Sequence, residues 1–145
     1  ELAAHLGLGT AALTPVLRDP NAGMRESAAE ALGAIGGDAA LAALWDEFDN
    51  RRYYRIGYIA SALATFTPQV IPRLCAAAES PDPDQRYWAA VALGSTGDDR
   101  AVPTLERLMA QDRGSTVFDG MVSVAAKKGL RTLRRIQAAI AARES

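Results

Sequence analysis

The chain has 145 residues, of which 49% are hydrophobic and 23% charged, with a formal net charge of −1 and a pI near 5.8. That length and apolar content suffice for a core and exclude wholesale disorder, while the near-neutral balance argues against a general nucleic-acid binder, which is usually basic over its whole domain. The single cysteine, Cys75, excludes an intrachain disulfide and a cysteine metal cluster and favours a reducing compartment, so a cytoplasmic location is expected.

In chain order, Glu1-Leu2-Ala3-Ala4-His5 has neither an initiator Met nor the basic region and long apolar run of a secretory signal. Leu6-Gly7-Leu8-Gly9 reads as the end of a helix whose start is missing, so the sequence reads as a piece of a longer chain, with any targeting segment outside it. Asn21 caps the first full helix. Its apolar positions Met24, Ala28, Ala31, Leu32 and Ile35 recur at helical spacing, and Glu26, Glu30 and Gly33 fall away from that face. Gly36-Gly37-Asp38 ends this helix and starts the next, whose stripe is Leu41, Leu44, Trp45 and Phe48. Arg51-Arg52-Tyr53-Tyr54-Arg55 is expected to open the following helix, with Tyr58 one turn on. The longest apolar run, Ile56 to Phe66, is roughly half of what a bilayer span needs, so no transmembrane segment is expected. Thr67-Pro68 and Asp82-Pro83-Asp84-Gln85 read as further helix starts, the second with Asp82 as cap, Pro83 at the first helical position and Gln85 closing a capping box. Gly97-Asp98-Asp99 is another stop-and-start, and Pro15, Pro72 and Pro103 stand at matching places in three helices. In the last segment Leu130, Leu133, Ile136 and Ile140 form an apolar stripe, and Lys128, Arg131 and Arg135 share another face.

The chain repeats itself. Ala31-Leu32-Gly33-Ala34-Ile35-Gly36-Gly37-Asp38 returns as Ala92-Leu93-Gly94-Ser95-Thr96-Gly97-Asp98-Asp99, at an offset of 61 from Ala31 to Ala92, and Arg25 and Arg86 keep the same offset. A middle copy places Ala60, Ala62 and Leu63 between Ala29, Ala31, Leu32 and Ala90, Ala92, Leu93. The period of about 30 is typical of helical-repeat arrays. The expected fold is therefore all-α: a right-handed α-solenoid of stacked helical hairpins, in which no hairpin buries its apolar face alone and small Ala and Gly positions let helices approach closely.

Asp19-Pro20-Asn21 with Arg25 and Ala28-Ala29-Glu30-Ala31-Leu32-Gly33, and Pro81-Asp82-Pro83 with Arg86 and Ala89-Ala90-Val91-Ala92-Leu93-Gly94, resemble the HEAT-like repeat of the phycobilisome-lyase type over about residues 10 to 110. The resemblance implies one HEAT-like domain over residues 1–145. Its parts would be a partial repeat at 1–9, repeats at about 10–36, 37–66 and 67–97, and a degenerate repeat with a capping helix at 98–145. It also implies that the turn Asp and the Arg of each second (B) helix form hydrogen-bonded ladders between repeats, a reading that carries to Asp19, Arg25 and Arg86; Ser80 and Ile56 depart from it. In such stacks the B helices line the concave face.

No catalytic constellation can be assembled around the only histidine, His5, and the His-Glu pairs of iron-binding HEAT proteins are missing. No catalytic residue, metal or cofactor is expected, and the chain is not read as an enzyme. Cys75 reads as a small buried hydrophobe; the acidic pairs Asp82/Asp84 and Asp98/Asp99 read as helix caps. The candidate partner-binding residues are Arg51, Arg52, Tyr54, Arg55, Tyr87 and Trp88, because Arg and aromatic side chains combine apolar area with polar tips. A packing role is open to the same positions, since Ser27, Tyr58 and Trp88 are equivalent and lie at the core boundary. Lys128, Arg131 and Arg135 form a candidate basic face, or the solvated side of a capping helix. The expected function is a non-catalytic protein-interaction scaffold that binds another protein on the concave face. The alternatives are a nucleic-acid-binding or base-excision module on the same scaffold and a bilin-lyase-like subunit. A monomer, or a weak homo-oligomer through exposed solenoid ends, is expected.

Overall fold

The computed structural model describes residues 2–145, with side chains from residue 7 onward, so the reading of His5 lies outside the described side chains. The described residues are all-α, of the solenoid class: α1 (Leu2–Leu13), a 3-10 turn (Thr14–Arg18), α2 (Ala22–Ile35), α3 (Gly37–Asn50), α4 (Gly57–Ala64), α5 (Ile71–Ala77), α6 (Pro83–Ser95), a 3-10 turn (Asp99–Ala101), α7 (Val102–Gln111) and α8 (Val122–Glu144). They gather into two compact units, Glu1–Phe66 and Thr67–Ser145.

In the first unit α2 packs on α4 and on the Thr14–Arg18 turn, and α3 packs on α4. Leu17, Ala29, Leu32, Leu44, Phe48 and Ile59 make up much of its core, and Trp45 meets Phe48 edge-on at 5.7 Å. In the second unit the dominant packing is α6 on α8, with α7 on α8 and α5 on α6. Leu74, Leu93, Leu105, Leu108 and Leu133 are fully buried there.

The punctuation explains the helix ends. Asn21 Oδ1 accepts from the Met24 N–H at 3.1 Å, Asp82 Oδ1 from Asp84 N–H at 2.9 Å, and Asp98 Oδ1 from Arg100 N–H at 2.9 Å. Each satisfies a donor that the first turn of a helix leaves open. Gly36 and Gly97 take φ of 74° and 63°, the left-handed region in which a side chain is unfavourable. Pro15, Pro72 and Pro103 all stand in the first turn of their helices. At Gln85 the box is a relay: Asp82 N–H donates to Ser80 Oγ at 3.2 Å and Ser80 Oγ donates to Gln85 Oε1 at 3.0 Å.

Several expectations are corrected. Met24 is 49% exposed, and the inward series of α2 is Arg25, Ala28, Ala29, Leu32. The guanidinium of Arg25 takes the inward place of the first turn because it bonds the carbonyls of the preceding turn, Asp19 at 3.0 Å and Pro20 at 3.1 Å. Residues 51–56 do not open a helix. Helix α3 ends at Arg51, whose φ is +42°, and α4 begins only at Gly57. Ile56, not Arg, occupies the inward place before Ile59, Ala60 and Leu63, all buried, so no guanidinium is there to tie the turn to the helix start. The Thr67-Pro68 start is displaced to Ile71. On α8 the buried stripe is Val122, Ala125, Ala126, Gly129 and Leu133. Leu130 is half-buried and Ile140 is exposed, because the small residues turn toward α6. Cys75 is half-buried, with Thr104 Oγ1 donating to its Sγ at 3.4 Å.

Candidate functional site

The two units hold matching grooves between successive B helices. In the first unit α2 and α4 enclose a cavity of about 420 Å³, with Glu26 and Glu30 on one wall and Tyr58, Ser61, Ala62 and Thr65 on the other. In the second unit α6 and α8 enclose about 180 Å³, with Tyr87, Val91 and Ser95 facing Ala125, Lys128 and Thr132. Glu26 and Glu30 correspond to Tyr87 and Val91 at the repeat offset of 61, and residues 58, 61, 62 and 65 have the same spacing as 125, 128, 129 and 132. The helical period of 3.6 puts each set on one face.

Glu26 and Glu30 are both exposed, one turn apart on α2, and carry no hydrogen bond or ion pair among the described residues. Across the groove, burial pushes the pKa of Tyr58 up; the neighbouring Arg25 pulls it back, and Glu47 and Tyr53 add to the rise. The phenol therefore stays protonated at neutral pH. The Thr65 hydroxyl donates to Ala62 O at 2.6 Å.

Behind each groove an arginine closes the turn before the helix, in two different ways. Arg86 Nη1 donates to Ser80 O at 2.9 Å and Pro81 O at 3.2 Å. Its Nε and Nη2 clasp the Asp112 carboxylate at 2.8 and 3.2 Å, a bidentate link into the next repeat. Burial raises the Asp112 pKa, but the bonds from Arg86 and from Gly114 N–H outweigh it and hold the carboxyl below its ordinary range. Arg25 makes the same two carbonyl bonds, yet its guanidinium lies 3.6 Å from the centre of the Tyr53 ring and its buried Nε has no hydrogen-bond partner. Of the ladder that the resemblance implies, the link to the following repeat is seen at Arg86–Asp112. Asp19 Oδ1 instead caps its own turn through Asn21 N–H at 2.8 Å, and Ser80 does the equivalent through Asp82 N–H.

The candidate residues fall into different settings. Arg51 is the half-buried end of α3. Arg52 lies 3.8 Å from the buried carboxylate of Glu47, which Arg18 also contacts at 3.1 Å. Tyr54 is 69% exposed and Arg55 is exposed beside it. Their segment is pinned by Tyr53, whose hydroxyl donates to Arg18 O at 3.0 Å, and by the buried Ile56. In the second unit Tyr87 is half-buried and packs edge-on against Trp88 at 4.9 Å. Trp88 itself is 8% exposed and is taken up by the core, so the chain does not present it as a surface anchor. Lys128 lines the α6–α8 groove; Arg131 and Arg135 are exposed beyond it.

Two features carry little signal in the sequence. Glu26 and Glu30 read as a solvated face, and the signal that could have found them is their replacement by Tyr87 and Val91 one double period on. The ordered loop between α7 and α8 exposes Val117 and Phe118, with Thr116 N–H and Oγ1 both donating to Gly120 O. Two apolar residues between Thr116 and Asp119-Gly120 were its only sequence mark.

Among the described residues no group of three or more His, Cys, Asp or Glu is arranged to hold a metal ion, and no helix is long and apolar enough to cross a membrane. Asp98 is engaged by Arg100 at 2.7 Å. The family model described as HEAT repeats matches residues 47–120, half of the chain. The chain belongs to the HEAT-repeat family. The model described as PBS lyase HEAT-like repeat matches residues 24–44, which cover most of α2 and the first half of α3. No curated protein matches this HEAT-repeat chain. HEAT repeats are commonly protein-interaction scaffolds.

Proposed function

We propose that this HEAT-repeat chain is a non-catalytic scaffold that binds another protein, with Arg52, Tyr54 and Arg55 as contacts on the first unit and Tyr87 as a separate contact on the second. The observation that carries this reading is Tyr54. A large aromatic side chain stands 69% exposed on a segment held at both ends by Tyr53 and Ile56. An aromatic anchor on a rigid support loses little entropy on binding. The Arg52–Glu47 contact is long and partly exposed, so it adds little to stability and leaves Arg52 available. The test is the Arg52→Ala/Tyr54→Ala variant, measured against a partner co-purified with the wild-type chain and then isolated. Binding is expected to weaken at least about tenfold with helical circular dichroism unchanged. Full binding, or loss of the helical signal, overturns the assignment.

One observation favours a second reading. Lys128, Arg131 and Arg135 share an exposed face of α8 and carry no ion pair among the described residues, which suits an anionic partner such as nucleic acid. An oligonucleotide titration at low salt decides it, and the absence of binding there removes it. The bilin-lyase reading rests on the repeat type alone.

A further inference from the structure

We infer that the α2–α4 groove accepts a lysine or arginine side chain from an extended segment of the partner protein. The inference rests on the scaffold reading and names the chemistry of one contact within it. The cavity of about 420 Å³ has room for one long side chain, and its lining is mostly apolar, which suits a methylene stem. Its lip carries Glu26 and Glu30, two carboxylates one helical turn apart, with no hydrogen bond or ion pair among the described residues.

Like charges at this spacing repel each other on a helix, and a cation placed between them removes that repulsion. An anionic residue would add to it. A purely apolar residue would take water from the two carboxylates without replacing its hydrogen bonds, which is unfavourable. The cations on the surrounding elements do not fill the role. Arg25, beside Tyr58, is committed to the carbonyls of Asp19 and Pro20 and to the Tyr53 ring, and Arg18 is committed to Glu47 and Asp46. The polar side chains that line the opposite wall, those of Tyr58, Ser61 and Thr65, are uncharged hydroxyls. The α6–α8 groove is a built-in control: it has the same spacing, but Tyr87 and Val91 replace the carboxylates and Lys128 lines the opposite wall, so a cation is disfavoured there.

The experiment is an amide-proton NMR titration of the chain with acetyl-Leu-Arg-Leu-amide, and with the same peptide carrying Gln in place of Arg. The Arg peptide is expected to shift the amides of Glu26, Glu30, Gly57, Ser61 and Thr65, and the Gln peptide is expected to bind about tenfold more weakly or not at all. In Glu26→Gln/Glu30→Gln the difference between the peptides disappears while circular dichroism is unchanged. Equal shifts from both peptides, shifts centred on the α6–α8 groove, no shift up to millimolar peptide, or an unaltered response in the double variant each overturn the inference. The isolated partner separates this failure from failure of the scaffold reading. If it binds the double variant as tightly as wild type yet loses Arg52→Ala/Tyr54→Ala, the scaffold stands and the basic-residue contact falls.

Discussion

The two units use one plan and finish it differently. Each has an arginine that ties the turn to its B helix, a glycine where the next B helix crosses, and a groove beside that crossing. In the second unit Arg86 reaches a carboxylate and Gly94 lies directly on Gly129, so the helices close up and the groove shrinks to about 180 Å³. In the first unit the guanidinium of Arg25 lies instead against the Tyr53 ring. Gly33 faces Ala62 and Thr65 at ordinary or slightly tight distances, and about 420 Å³ stays open. The difference teaches that the two copies diverge at positions facing the neighbouring B helix while Ala29/Ala90 and Leu32/Leu93 stay the same in the core.

The contrast between the arginines gives the largest expected effect. Arg86→Ala removes a bidentate bond to Asp112 and two carbonyl bonds, and leaves a largely buried carboxylate without its cation. It is expected to cost about 2–4 kcal/mol in urea unfolding. Arg25→Ala, which loses two carbonyl bonds and a ring contact while relieving an unsatisfied Nε, is expected to cost about 1 kcal/mol. The pair also makes stability depend on pH. Because the folded pKa of Asp112 is depressed, its contribution is complete above the unfolded carboxyl value of about 3.9 and is lost as pH falls through the lower folded value. Wild type should therefore lose stability below about pH 4 more steeply than Arg86→Ala. Equal costs for the two arginines, or identical acid profiles, would dissolve the contrast.

The helix crossings come next. A Cβ on Gly94 would fall on the backbone of Gly129, and no side-chain rotation can clear it. Gly94→Ala is therefore expected to cost about 1–3 kcal/mol. A Cβ on Gly33 meets the Thr65 hydroxyl at 3.0 Å, a group that can give way, and the better helix propensity of Ala is worth up to about 1 kcal/mol. Gly33→Ala should thus be neutral or slightly stabilising. Thermal unfolding of the two variants checks this directly, and similar losses for both would mean that the first crossing is as tight as the second.

Much of this plan is legible in the sequence, for local reasons. Asn21, Asp82 and Asp98 act on their own backbone within two or three residues, and Gly36 and Gly97 are chosen by φ, so a window of a few residues contains the cause. The core leucines follow from period. What was illegible depends on a partner elsewhere in the chain. Met24 looked inward by spacing, but Arg25 wins that place because the Asp19 and Pro20 carbonyls need donors. Residues 51–56 looked helical by analogy with α6, yet the missing arginine at Ile56 leaves the turn to Tyr53. Trp88 carried the composition of a binding residue, and only its packing shows that it is core. Glu26 and Glu30 looked like ordinary solvated charges because nothing on α2 reveals the α4 wall opposite them.

The smallest effect on stability bears on the inferred contact with a basic side chain. Glu26 and Glu30 repel across one turn with no compensating cation, and such a pair destabilises a helix by about 0.2–0.5 kcal/mol. The corresponding α6 positions, Tyr87 and Val91, show that the repeat does not require charge there. Glu30→Gln should therefore raise the unfolding temperature slightly, more at low salt than at high salt because the repulsion is screened, while the same substitution weakens uptake of an arginine-bearing peptide. A stability gain coupled to a binding loss is what a site held against local energetics produces. A variant that gains stability without losing binding would place these carboxylates among ordinary surface charges, and the two grooves would then differ in size alone.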